Sequence, residues 1–479
     1  LTPVAYVGPA EGKPRDQWQL KSPDELLDLK VCDPAMGSGA FLVQACRWLA
    51  ERLVEAWTQA EESGKSVSVD GEVLDSVSDR EPLPRDIEAR TVIARRLIAE
   101  RCLYGVDLNP LAVELAKLSI WLITLAKGRP FGFLDHNLRC GDSLLGIHRL
   151  DQLTELSMTP TGKGQQRLFG QEIERAVREA IELRSNLRQI PIRDIHDVEA
   201  MAHLDSDARR KLEVPECIAD AFIGEVFEAS SNRVELESTL TTLAIQAGEA
   251  VDGSRDLITS ILRRSHTTLS IDLPSDKPIR RPFHWPLEFP EVFAEENTGF
   301  DAFVGNPPFL GGKRISTVLG STYSSFLAAI HPPASKNMDL VAHFFRRAFD
   351  LLCKAGDFGF LAVNSIAEGD TREGGLEWMT RNGASIYAAY PNEPWPGQAA
   401  VVTSRVHTHK GEWHGARSLA GKSVHFVSAF LSGQEEWSPK KLKANDGKAF
   451  IGSFVNGMGF VLTNEEAQRM LNADPRNEE

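Results

Sequence analysis

The chain has 479 residues, 42% of them hydrophobic and 25% charged. This ordinary globular composition has length for roughly two to four domains and excludes collagen-like, mucin-like and wholly disordered chains. A formal charge of −14 argues against a surface that grips nucleic acid everywhere, though it leaves room for a local basic groove.

The first apolar run, Leu27–Val31, predicts a strand leading through Cys32-Asp33-Pro34 into the turn Ala35-Met36-Gly37-Ser38-Gly39, with a helix from Phe41 to Val54. Residues 60–84 read as a polar loop. A helix over Ile87–Arg101, a strand over Cys102–Val106 ending in Asp107-Leu108-Asn109-Pro110, a helix over Leu111–Leu125 and a short strand ending near Gly141-Asp142-Ser143 follow. Leu111–Ala126 is the most apolar window, but Glu114 and Lys117 interrupt it, so it reads as a buried amphipathic helix and no membrane span is expected. Between 165 and 264 the periodicity is helical throughout, in stripes such as Ile173, Val177, Ala180 and Leu187, or Ile218, Phe222 and Val226. Alternation resumes with a strand at Phe300–Val304, a Gly-rich loop at Leu310–Ser325, a helix at Asp339–Lys354 stopped by Gly356, and strands at Phe358–Val363 and Ala399–Val406. Shorter strand-like pieces follow at Val424–Phe430 and Gly459–Leu462.

This order predicts an α/β fold: a doubly wound, Rossmann-like parallel sheet with a large helical insertion and the start of a further C-terminal domain. The expected division is a discontinuous core (1–150 and 280–410), an insertion (151–279) and an accessory segment (411–479). Cys32, Cys46, Cys102, Cys140, Cys217 and Cys353 form no CxxC pair, which fits a reducing compartment rather than a disulfide or zinc framework. No signal-peptide pattern opens the chain, and its first residue is Leu, as in a fragment or processed product.

Chemistry concentrates where strands end, because ligands of open α/β sheets bind at that edge. Gly37 and Gly39 allow close backbone approach, and Asp33 places a carboxylate beside them. A dinucleotide loop would carry a third glycine where Leu42 stands. An acid here suits a ligand with a cationic amino-acid end and no phosphate, such as S-adenosylmethionine; the alternative is a plain turn. Asp107 is placed to accept ribose hydroxyls, or to cap the following helix. Asp142 is placed to accept an adenine amine, or to close a turn. Asn306-Pro307-Pro308-Phe309 presents two adjacent acceptors, the Asn306 side-chain carbonyl and the Pro307 backbone carbonyl, matching the two hydrogens of an exocyclic amine. Phe309 adds a face for a stacked base; the alternative is a rigid turn with a buried ring. Lys313 and Arg314 are candidate DNA-backbone contacts or solvated loop charges. His407 and His409 alternate on one strand, too weak a pattern to assign a metal.

Asp33-Pro34-Ala35-Met36-Gly37-Ser38-Gly39-Ala40-Phe41-Leu42 and Asn306-Pro307-Pro308-Phe309 resemble motifs I and IV of the N6-adenine DNA methyltransferases. Tyr104–Pro110 and Gly141–Gly146 resemble the motifs between them, in the gamma order. The insertion and His284-Trp285-Pro286 look most like the methylases of type IIG restriction–modification and phage-defence systems. The resemblance implies S-adenosylmethionine held by Asp33, Pro34, Ala35, Gly37, Gly39, Phe41, Asp107, Leu108, Asp142 and Ser143. It implies catalysis by Asn306, Pro307, Pro308 and Phe309 on an adenine flipped from double-stranded DNA. Restriction or defence subunits as partners and a cytoplasmic, bacterial-type location are implied too. The family's upstream clamp with a Tyr-Thr-Pro core is matched only by Thr2-Pro3 and is expected to be missing; no nuclease signature is evident. Two other readings stay open. One is a methyltransferase acting on RNA or protein glutamine; the other is a non-catalytic DNA-binding subunit with the same fold.

Overall fold

The computed structural model describes residues 1–8, 10–75, 80–125, 130, 132–160, 167, 169–229, 233–294, 299–395, 401–434 and 463–473. Its strands are β1 (Val31–Asp33), β2 (Leu103–Asp107), β3 (Leu138–Cys140), β4 (Phe300–Gly305), β5 (Leu352–Val363), β6 (Ala384–Pro394), β7 (Val402–Lys410), β8 (Arg417–Leu419) and β9 (Lys422–Val424). They form one nine-stranded sheet in the order β9-β8-β6-β7-β5-β4-β1-β2-β3. The run β3-β2-β1-β4-β5 is parallel throughout, and β7 enters antiparallel between β5 and β6. The order reverses at β1, so the crevice at the carboxyl ends of β1 and β4 is the switch point where ligands bind in such sheets.

Strand alternation sends side chains to two cores. On one face Val31, Leu103 and Leu138 pack with Leu42, Leu49 and Leu53 of helix α1 (Ala40–Glu62), Ala94 and Ile98 of α2 (Ile87–Arg101), and Ala116 and Ile120 of α3 (Pro110–Thr124). The other face is aromatic. The Phe300 ring sits at a steep angle to Tyr104, Trp285, Phe289, Phe293 and Phe303, contacts worth about 0.5–1.5 kcal/mol per pair beyond burial. Local signals set the helix starts. Asp86 caps α2 through the Ala89 N–H at 2.8 Å. Asn109 caps α3 through the Leu111 N–H, with Pro110 as its first residue.

After a short helix at Leu150–Glu155, four longer helices follow the first three strands: α4 (Gly170–Gln189), α5 (Ile195–Glu228), α6 (Arg233–Val251) and α7 (Arg255–Leu269). The anticipated stripe Ile173, Val177, Ala180 and Leu187 is buried, as are Ile218, Phe222 and Val226. Arg184 ties these helices to the sheet. It is 2% exposed and donates to Asp205 of α5, to the His136 carbonyl at 2.7 Å and to Glu291 at 3.3 Å.

Several expected elements shift. The run at Leu27–Val31 splits, because Ser22 and Glu25 form a capping box that folds Pro23–Leu27 as a helix and leaves the strand to Val31–Asp33. The loop expected over Leu310–Ser325 is two helices, α8 (Gly312–Leu319) and α9 (Ser321–Ile330), separated by Gly320. Helix α10 (Leu340–Leu351) is capped by Asp339 and ends before Gly356, which lies inside β5. Loop 60–84 contains a short antiparallel pair, Ser66–Val67 with Val73–Leu74. The piece at Gly459–Leu462 lies outside the described residues. The chain divides into Leu1–Glu435 and Glu436–Glu479. Strands β8 and β9, beyond residue 411, belong to the main sheet of the first unit, and the described part of the second carries helix α11 (Asn464–Ala473). Among the described residues no helix is long and apolar enough to cross a membrane.

Candidate active site

The glycine turn is held from three sides. The Met36 N–H donates to the Val106 carbonyl of β2 at 3.0 Å, the Gly37 N–H to Asp107 Oδ2 at 2.9 Å, and Ser143 Oγ to the Pro34 carbonyl at 2.5 Å. Gly37 and Gly39 have φ of +53° and +83°, conformations that L side chains rarely adopt. A β-carbon on Gly37 would meet nothing within 4 Å, so the turn presents bare backbone to open space. Pro34 is buried, Ala35 and Phe41 are half-buried, and Leu108 is exposed beside the turn.

Asp33 is buried at 1% exposure. Its Oδ1 accepts the Ala35 N–H at 3.0 Å, whereas Oδ2 is buried without a hydrogen-bond partner among the described residues. Burial pushes its carboxyl up to about 7; the Ala35 N–H opposes the rise and nearby Asp107 adds to it. Asp107 closes β2 and accepts from Gly37 N–H on one oxygen and from Asn109 N–H, at 2.8 Å, on the other. Asp142 lies two residues past β3. Its Oδ1 accepts the Leu144 and Leu145 N–H groups, closing a turn, and the Tyr323 hydroxyl lies 3.0 and 2.8 Å from its two oxygens. Ser143 spends its hydroxyl on Pro34, and its carbonyl receives the Trp285 indole N–H at 3.1 Å.

Asn306 follows β4 directly, and the register Cys32 to Phe303 aligns that strand's end with Asp33. A β-carbon on Gly305 would lie 2.6 Å from Asp33 Oδ1, so the Asn-Pro-Pro-Phe segment starts against the acid of the glycine turn. Asn306 Oδ1 is buried and has no hydrogen-bond partner among the described residues. Pro307 is buried, Pro308 exposed and Phe309 half-buried against the aromatic core. The segment's far end is pinned to α10: Leu310 N–H donates to Asp339 Oδ1 at 3.2 Å and the Leu340 N–H to the Leu310 carbonyl at 2.9 Å. Lys313 and Arg314 are exposed on the first turn of α8.

The sheet edge thus gathers Asp33, Asp107, Asp142 and Asn306. One residue beside this edge escaped the sequence reading. Tyr323 lies 181 residues from Asp142, and no local pattern marks it. Leu1 and Thr2 line a surface cavity with Phe41, Gln44, Trp48 and Val304. Among the described residues no cluster of three or more His, Cys, Asp or Glu side chains could hold a metal ion, and His409 pairs with Asp357 at 3.1 Å.

A parallel sheet with acids on three successive strand ends and Asn-Pro-Pro-Phe on the next is the arrangement of a restriction–modification methylase. The Eco57I restriction-modification methylase family matches residues 101–385, more than half of the chain, and the chain belongs to it. The DNA-methyltransferase domain of MmeI matches residues 11–132. The chain is 25% identical over 381 residues to the "Putative type II restriction enzyme and methyltransferase RM.MjaORFECS2P" of Methanocaldococcus jannaschii, covering 72% of this chain and 27% of that one. It therefore spans about a quarter of that relative's length. Among solved structures, the type IIL restriction-modification enzyme MmeI in complex with DNA aligns at 13% identity and a TM-score of 0.42, over 94% of this chain and 42% of that one. The M protein of the type I enzyme EcoKI aligns at 12% identity and a TM-score of 0.29, over 81% and 41%.

Proposed function

We propose that the chain is the catalytic core of a DNA adenine-N6 methyltransferase that uses S-adenosylmethionine, acts on an adenine flipped out of duplex DNA, and works in the cytoplasm with restriction or defence subunits. The observation that carries this reading is Asn306 Oδ1, a buried acceptor with no donor among the described residues, adjoining the glycine turn. A buried acceptor left unpaired is costly, and an amine-bearing substrate would satisfy this one; its place beside the glycine turn, shared with Asp33 Oδ2, sets it apart from the chain's other unpaired buried polar atoms.

The residues present suit the cofactor. Asp33 offers an unpaired carboxylate oxygen for a cationic amine, the bare turn at Gly37 admits close approach, and Asp107 retains acceptor capacity for ribose hydroxyls. When bound, S-adenosylmethionine supplies an electrophilic methyl group on sulfur. The protein's part is to make a poor nucleophile competent. The exocyclic nitrogen of adenine is weak because its lone pair is delocalised into the ring. Asn306 Oδ1 and the Pro307 carbonyl, accepting both its hydrogens, draw that lone pair toward a tetrahedral geometry. Both prolines fix the backbone, so the acceptors need no reorganisation. Flipping costs a few kcal/mol, and stacking on the half-exposed Phe309 offsets roughly 1–3 kcal/mol of it.

The test is Asn306→Ala in the full-length protein, with radiolabelled methyl incorporation followed in duplex DNA, ribosomal RNA and protein in parallel. Loss of DNA adenine methylation with cofactor binding intact supports the reading. Unchanged DNA methylation in the variant, or incorporation by the parent only into RNA or protein, overturns it.

A further inference from the structure

Tyr323 sits on α9, the second helix after the Asn-Pro-Pro-Phe segment, and is 4% exposed. Its hydroxyl reaches both oxygens of Asp142. Asp142 Oδ1 also takes the N–H groups of Leu144 at 3.0 Å and Leu145 at 3.3 Å, whereas among the described residues Oδ2 takes only the Tyr323 hydroxyl, at 2.8 Å. The carboxylate is therefore fixed in orientation, with Oδ1 saturated and acceptor capacity left on Oδ2.

The tyrosine is itself held. Arg280 lies 4.8 Å from the Phe227 ring centroid and 6.0 Å from that of Tyr323. Its guanidinium donates to the Leu269 carbonyl at 3.1 Å, the Ile271 carbonyl at 2.5 Å and the Leu319 carbonyl at 2.7 Å. Asp272 Oδ2 accepts from Ser321 Oγ, Thr322 N–H and Thr322 Oγ1, fixing the first turn of α9. The end of the helical segment thus grips the element that carries Tyr323.

We propose that Tyr323 is a positioning residue for the cofactor: it orients Asp142 so that Oδ2 accepts the adenine amine of S-adenosylmethionine, tying the cofactor site to the helices that follow Asn-Pro-Pro-Phe. This rests on the methyltransferase reading above. Burial and the adjoining carboxylate hold the phenol well above its usual range, so it remains a donor at every working pH.

The experiment measures methylation kinetics and calorimetric binding of S-adenosylhomocysteine and of its 6-deamino purine analogue. It uses the full-length parent, Tyr323→Phe, Asp142→Asn and the double variant. Tyr323→Phe keeps the ring and removes only the donor. The expected result is a roughly tenfold rise in Kd and in the KM for S-adenosylmethionine, with kcat within about twofold at saturating cofactor. Preference for the adenine over the deamino compound should shrink in the same proportion, and the double variant should bind no worse than Asp142→Asn alone. A structural role would instead lower kcat and weaken both ligands equally, which overturns the proposal. Unchanged binding in Tyr323→Phe also overturns it while leaving the methyltransferase reading intact. A parent that binds neither ligand overturns both.

Discussion

Asp33 and Gly305 are in contact across the β1–β4 pair, with the site of a missing β-carbon on Gly305 only 2.6 Å from Asp33 Oδ1. The glycine is what lets the acid of the turn lie beside the strand that delivers Asn306. Gly305→Ala therefore pushes a methyl into a buried carboxylate. The expected outcome is a loss of about 1–3 kcal/mol in denaturant unfolding, with methylation reduced more than stability alone explains. Gly37→Ala is the control for unfolding alone, since its added methyl meets no described protein atom within 4 Å and only the positive φ is penalised, by about 1–2 kcal/mol; its methylation should fall as well, because that methyl would stand where the cofactor approaches the turn.

Asp33 also gives a pH signature. Its carboxyl, raised to about 7 by burial, binds its proton more tightly in the folded than in the unfolded protein. Between the ordinary carboxylate range and about 7 the folded state therefore holds more protons, and this residue's contribution to stability falls as pH rises. A cationic ligand reverses the preference by favouring the ionised form. Affinity for S-adenosylmethionine should weaken about tenfold per pH unit below about 7 and level off above it. Calorimetry from acid to alkaline pH checks this, and Asp33→Asn should flatten the profile.

Arg184 joins α4 to Asp205 of α5 and to Glu291, ahead of β4, through charges almost wholly removed from water. Removing one member of such a set leaves the others uncompensated, so Arg184→Met should cost about 3–5 kcal/mol. Arg184→Met with Asp205→Leu should be less damaging than the two single losses summed. Denaturation of the four proteins gives the coupling, and strict additivity would show that the charges act separately.

Lys313 and Arg314 face solvent just past the Asn-Pro-Pro-Phe segment. If they neutralise phosphates, each alanine variant should weaken duplex binding similarly for all sequences and lower the salt dependence of log K by about one. Fluorescence anisotropy across a salt series reads this slope. An unchanged slope would assign both to the solvated surface.

Much of the core was legible because its signals are local. Helix α2 has its expected bounds, Ile87–Arg101. The buried stripes of α4 and α5 followed from a 3.6-residue period. The glycine turn and Asn-Pro-Pro-Phe were legible as short motifs, and pairing of β1 with β4 brings them together. Errors arose where two local signals competed. Leu27–Val31 is apolar enough for a strand, but the Ser22–Glu25 capping box claims its first residue for a helix. The glycines at 311, 312 and 320 suggested a loop, yet they mark the start of α8 and the break before α9. Tyr323 was invisible because its meaning lies in a contact with Asp142, far away in sequence.

Strand order has a consequence for biogenesis. The β1 strand lies between β2, which follows soon after it, and β4, whose Asp301 carboxylate accepts the Lys30 N–H across 271 residues of sequence. A growing polypeptide that has not reached Phe300 leaves one edge of β1 bare and open to wrong pairing. Arrival of that late strand seals the edge and brings Asn306 beside the turn at Asp33 in the same event, so the crevice forms only once Phe300–Gly305 has been made.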